Sequence, residues 1–93
     1  MIIVGGENVF PAEVEAVLEE HPLVAQAAVI GVQDEKRGES VKAIIIPSEP
    51  SANADDILCF ARQHLAPYKV PRVIEFRSEV PLSPTGKILK RAL

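Results

Sequence analysis

Tryptophan is absent from this 93-residue chain, and one tyrosine and three phenylalanines are its whole aromatic complement. So small a set gives no stacking platform for bases, and with the acidic balance of the whole chain it argues against a nucleic-acid ligand. A single cysteine, Cys59, rules out an intramolecular disulfide framework. No base is evident beside it, so Cys59 reads as a small packing residue rather than a nucleophile. Near His21 there is no cysteine, second histidine or carboxylate at metal-ligand spacing, and no metal site is expected. No apolar run approaches the length of a membrane span. The opening Met1-Ile2-Ile3-Val4 lacks a basic leader and is broken by Gly5-Gly6, so it does not read as a signal peptide. A cytoplasmic location is the expectation.

What remains is the composition of a globular chain, 47% apolar and 25% charged. The length suits one domain over residues 1–93, with a modest core and no room for a substrate-enclosing pocket of ordinary size. The net charge of −3 hides a division. Residues 1–61 hold three basic side chains against eleven acidic ones, a balance of −8. Residues 62–93 hold seven against two, a balance of +5, which suits a phosphate-bearing ligand. For any single cation other than Lys87, a solvated basic surface is the simpler account.

The local patterns predict an alternation of strands and helices. Residues 2–4 form a β-type run that ends at Gly5-Gly6. Pro11 suits the first position of a helix, Glu13 and Glu15 lie near its positive end, and Val14, Val17 and Leu18 make its buried stripe. His21-Pro22 stops it. Residues 23–32 and 41–46 read as the two strands of a long hairpin joined by a charged, glycine-containing turn over 33–39. Asn53 is placed to cap a helix with Asp55 and Asp56 in its first turn and Ile57, Leu58, Ala61 and Leu65 on its apolar face. A proline-bracketed connector over 65–71 leads to a strand over 73–77. The order β-α-β-β-α-β predicts an α+β domain: a small, mainly antiparallel sheet flanked by helices.

The last stretch, residues 80–93, has a different character. Pro81 and Pro84 fix their own φ and extend the residues before them, and Gly86 gives a backbone able to turn where a side chain would forbid it. Residues 87–93 are good helix formers, so a rigid loop presents Lys87 at the start of a short terminal helix. Lys90 and Arg91 suit a helix C-terminus; Lys87, at the opposite end, has no local reason to be there. Gly86-Lys87 is not a Walker-type phosphate loop, because Pro81 stands where that motif needs a glycine and Ile88 where it needs Ser or Thr.

Pro81, Thr85, Gly86, Lys87, Arg91 and Leu93 together resemble the closing motif of the acyl-activating, adenylate-forming enzymes. The segment from Ile2 through Gly5-Gly6-Glu7-Asn8-Val9-Phe10-Pro11 to Glu15 resembles the opening of their small C-terminal domain. His21-Pro22, Asp34, Gly38-Glu39 and Tyr68-Lys69-Val70-Pro71 sit where that family has similar residues. The resemblance implies the same α+β architecture and a partner, a large N-terminal domain with the ATP and acyl pockets, which this chain does not include. The family's hinge motif would lie just upstream of Met1, so the chain is expected to be an excised domain or one half of a split enzyme, inactive alone.

The chemistry implied by the resemblance has two steps. A carboxylate joins ATP, giving an acyl-adenylate and pyrophosphate, and the acyl group then passes to the thiol of CoA or of a carrier protein. Lys87 would be the catalytic cation that relieves the repulsion between carboxylate and α-phosphate. The small domain would then rotate and bring its opposite face to the site. Candidate cofactor contacts are Gly5 and Gly6, lining the pantetheine channel, together with Gly86 and Lys69. Lys69, Arg72 and Arg77 could meet the nucleotide phosphates of CoA. Gly5 and Gly6 have a second reading, in which they merely end a strand. Mg2+ would accompany ATP in the large domain. Lys87 would further be a target for a lysine acetyltransferase and deacetylase, since losing its charge silences the first step. The competing reading is a stand-alone binding module that uses its basic C-terminal face.

Overall fold

The computed structural model describes residues 1–36 and 38–77. Lys87, Gly86 and the terminal helix expected over 87–93 lie outside the described residues. The elements run β1 (Ile2–Val4), β2 (Glu7–Val9), α1 (Pro11–Glu19), β3 (Val24–Asp34), β4 (Gly38–Pro47), α2 (Ala54–His64), a 3-10 turn (Pro67–Lys69) and β5 (Val73–Phe76). The sheet has the order β2-β1-β4-β3, and β5 pairs with β4 on the edge it shares with β1. All pairings are antiparallel except β4–β5, which is parallel, with Lys42 opposite Val73 and Ile45 opposite Phe76. The expected α+β class and mainly antiparallel sheet are what the chain adopts.

Alternation builds the core. On β4, Val41, Ala43 and Ile45 point to one face, joined there by Ala27 and Val29 of β3 and by Ile2, Val4 and Val9 of the first two strands. The helices cover that face with Val14 and Leu18 from α1 and Ile57 and Ala61 from α2, all four with no measurable exposure. The other face carries a smaller cluster of Ala28 and Ile44, with Ile30 and Ile46 packed beside it. The β3–β4 hairpin is registered from Val24↔Pro47 to Asp34↔Gly38, with one irregularity between Val24 and Gln26. Its turn is shorter than the sequence suggests, because the ladder continues through the polar residues at both ends.

Both helix starts follow from local chemistry. Pro11 opens α1 at a position where a missing N–H costs nothing. At α2, the Asn53 side chain accepts from the Asp56 N–H at 2.9 Å, and its amide donates to the Asp56 carboxylate at 3.0 Å. The end of α1 comes at Glu19, just before His21-Pro22, and His21 Nδ1 then accepts the Leu23 N–H at 3.0 Å. Two carboxylates of α1 close the outer edge of the sheet. Glu15 accepts from the Val29 N–H at 2.8 Å and Glu19 from the Ala27 N–H at 3.3 Å, so these strand donors meet a side chain instead of another chain.

One element was not foreseen. Residues 7–9 form a strand, β2, where the sequence reading goes straight from Gly5-Gly6 to the helix. The two glycines are the turn of a tight hairpin. Val4 pairs with Glu7 across them, and Gly5 and Gly6 have φ of 56° and 86°. Positive φ at both central positions is the backbone of a type I′ turn, whose twist matches that of the strands it joins.

Candidate functional site: the glycine hairpin and the basic connector

The Gly5-Gly6 turn projects from the end of the sheet into open space. A Cβ built at either glycine would meet nothing within 4 Å. The φ values alone require glycine or a residue tolerant of the left-handed region, so strand termination by a turn accounts for both residues. The same exposure leaves the turn's backbone accessible to a ligand. Ile3 on β1 and Phe10, which follows β2 at the open end of the hairpin, are 44% and 57% exposed.

The hairpin is fixed to the sheet by few bonds. Among the described residues only Val4↔Gly38 pairs β1 with β4 through the backbone. One residue on, the Glu39 side chain takes over, and its Oε1 accepts the Ile3 N–H at 3.0 Å. Gly31 makes room for that reach. A Cβ there would stand 2.6 Å from Glu39 Oε2 and 3.2 Å from Ile2 Cγ1. A glycine within an otherwise apolar strand marks a close approach of this kind, and that was the legible signal for a contact the sequence reading passed over.

Lys69 sits at the end of the 3-10 turn, which packs against β2. Its ammonium lies 2.6 Å from Glu13 Oε1 and 3.1 Å from Oε2, and 5.7 Å from the centroid of the Tyr68 ring. The hydrogen bond with Glu13 is the main cause of a pKa held above the usual lysine value; desolvation opposes it, and the charges of Glu13 and Tyr68 add to it. Glu13, read from the sequence as a dipole-complementing residue, thus also ties the connector to the start of α1. Arg77 is likewise engaged, hydrogen-bonded to Glu75, which also pairs with Lys42. Among the described residues Arg72 forms no ion pair. Arg72 and Arg62 both line a cavity of about 610 Å³ between α2 (Leu58) and the connector that follows it (Leu65, Pro67, Val70, Pro71).

The remaining candidates resolve simply. Cys59 is exposed, and its Sγ accepts a hydrogen bond from Gln63 Nε2 at 3.8 Å. His21 and His64 flank Phe60, with ring centroids 5.2 Å and 4.5 Å away. Among the described residues no three His, Cys, Asp or Glu side chains gather into a metal site, and no helix is long and apolar enough to cross a membrane.

A sequence model of the AMP-binding enzyme C-terminal domain matches residues 13–87. The chain belongs to this family. Along its full length this AMP-binding enzyme C-terminal domain is 47% identical, over 94 aligned residues, to a long-chain-fatty-acid–CoA ligase of Bacillus subtilis (strain 168), of which it covers 17%. Its fold superposes on a Mycobacterium tuberculosis fatty acyl CoA synthetase with a TM-score of 0.92 at 45% identity, over 98% of this chain and 18% of the other. A Bacillus subtilis o-succinylbenzoate CoA synthetase, solved in complex with its acyl-adenylate intermediate, gives 0.91 at 38% identity, over 97% of this chain and 18% of that one. The AMP-binding enzyme C-terminal domain thus spans a small fraction of the relatives it resembles, and each of them is an enzyme.

Proposed function

We propose that the chain serves as the mobile C-terminal domain of an ATP-dependent acyl-CoA synthetase, working against a large domain that holds ATP, Mg2+ and the acyl group. The observation that carries this is the likeness, over nearly the whole chain, to one domain of a solved fatty acyl CoA synthetase. In the first step the carboxylate attacks the α-phosphorus of ATP and pyrophosphate leaves. Lys87 lends a fixed cation to the oxygens that crowd together there, and Gly86 lets the loop deliver it. In the second step a thiol attacks the acyl carbonyl and AMP leaves. The Gly5-Gly6 turn then lines the path of the thiol arm, with its exposed backbone along the channel. CoA is the acceptor that the relatives favour over a carrier protein.

Arg72 is better placed than Lys69 to receive the nucleotide phosphates of CoA, since Glu13 already takes two contacts from the Lys69 ammonium. Lys69 retains one donor for a phosphate. In this proposal Mg2+ belongs to the large domain and the ATP phosphates. Acetylation of Lys87 would remove the charge on which the first step depends and leave the second step its groups.

The deciding experiment is Lys87→Ala in the full-length protein, with each half-reaction assayed by itself. Pyrophosphate release should fall by about 10²–10³, the cost of removing one preorganised charge partner from a transition state. Thioester formation from supplied acyl-adenylate should stay near the wild-type rate. An equal loss in both half-reactions would give Lys87 a structural role and remove the assignment.

A further inference from the structure

We infer that Glu39 is a positioning residue for the Gly5-Gly6 turn: its carboxylate holds the β1–β2 hairpin at the angle the thiol step requires. This rests on the acyl-CoA synthetase reading above and adds to it a residue that acts through the hairpin it holds.

The hairpin's attachments are few. β1 and β2 hold one another through Ile2↔Val9, Ile3↔Asn8 and Val4↔Glu7, and so small a ribbon is marginal alone. Its apolar anchors are Ile2, Val4 and Val9, all buried on one side of it. Apolar contact is non-directional, so it fixes the hairpin's depth better than its angle. Direction must come from hydrogen bonds. Among the described residues the backbone supplies one strand pairing, Val4↔Gly38, at the very end of β4. The next donor along β1, the Ile3 N–H, is met by Glu39 Oε1 at 3.0 Å. A charged acceptor makes a stronger bond than a carbonyl. Two neighbouring points, Val4 on backbone and Ile3 on a side chain, therefore set the tilt of β1 and with it the position of the turn one residue beyond.

Gly31 shows that space for this bond is kept open. Its missing Cβ would lie 2.6 Å from Glu39 Oε2, and Ile2 closes in from the other side. Its φ is not in the left-handed region, so the glycine is explained by this crowding, from the Glu39 carboxylate and from the Ile2 side chain at 3.2 and 3.3 Å. The trio Gly31, Glu39 and Ile3 thus links the tip of the long hairpin to the short one.

Three variants test the assignment: Glu39→Ala, which deletes the acceptor; Gly31→Ala, whose methyl crowds both the carboxylate and Ile2; and Glu39→Gln, which keeps an oxygen in place. Measured on the full-length protein, amide exchange at Ile3 and across the turn should accelerate in the first two and return toward wild type in the third, with the β3–β4 amides unchanged in all. In the full-length protein, the first two should slow the thiol half-reaction by about tenfold or more, as misplacement of a positioning element does, while adenylation stays within about twofold. The Gln variant should recover most of the loss. Unchanged exchange at Ile3 overturns the clamp. Faster exchange with an undiminished thiol step overturns its role in catalysis, and equal loss in both half-reactions reduces Glu39 to a stability residue. If the wild-type full-length protein makes no acyl-adenylate, the ligase reading fails, yet the exchange result still decides the clamp.

Discussion

Two hairpins divide the work of this domain, and they are built on opposite principles. The long one, β3–β4, keeps its ladder from Val24↔Pro47 to Asp34↔Gly38 and buries residues on both faces, with Val29, Val41, Ala43 and Ile45 under the helices and Ala28 and Ile44 behind. The short one, β1–β2, has three pairings, a turn in open space and, among the described residues, one backbone link to the sheet. Stability is concentrated in the first and accessibility in the second. Regions that meet ligands are commonly drawn from the less stable parts of a fold, because a rigidly buried turn has no surface to offer.

The largest expected effect falls on the long hairpin. Ile45 is fully buried between the sheet and the helices, and Ile45→Ala should cost about 2–5 kcal/mol in chemical denaturation. The loss should appear as one cooperative transition, since every core element touches this cluster. Early melting of the short hairpin in that variant, with the rest intact, would show that the two are not arranged as scaffold and attachment.

A smaller effect is expected at the turn. Gly6 has φ of 86°, and Gly6→Ala should cost about 1–2 kcal/mol through the left-handed backbone alone. Gly6→Asn should cost less, because asparagine tolerates that region. The pair separates the two readings of this glycine. If the turn lines the thiol channel, Asn should slow the thiol half-reaction more than adenylation in spite of its milder effect on stability. If Asn is as active as glycine with CoA, only the backbone reading survives.

These two sites also mark what was legible in the sequence. The long hairpin was readable because alternation and β-branched runs record which side is buried, and the core of both helices was readable for the same reason at helical spacing. The Asn53 cap was legible because its chemistry is local. The short hairpin was half-legible. Gly5-Gly6 announced a turn, but Glu7-Asn8-Val9 carries a single buried residue and no alternation long enough to read as a strand. Glu39 and Glu13 were invisible as tethers, since a carboxylate that caps a distant amide or ammonium looks, in sequence, like any solvated acid. Their partners lie 36 and 56 residues away, and only the fold brings them together. Lys87 was the reverse case. Its motif was evident from the sequence, and its position lies outside the described residues.

The smallest expected effect concerns a second tether on β4. As Glu39 ties β1 to the end of that strand, Glu75 ties β5 to its middle through Lys42, at 3.1 Å, and also accepts from Arg77. The Arg77 hydrogen bond first, and the Lys42 bond second, hold the Glu75 carboxyl below its ordinary value of 4.5. A carboxyl whose pKa falls on folding stabilises the fold above its unfolded value, and that stabilisation drains away as pH drops through the folded value. Glu75→Gln removes the charge at every pH. Its stability should therefore lie slightly below wild type at neutral pH and converge with it in acid, below pH 4.5. The separation should be modest and should shrink in salt, because the pair is partly solvated. A constant gap from neutral to acid pH would mean that Glu75 acts through packing and not through charge. The resemblance between the two tethers of β4 would then be one of position alone.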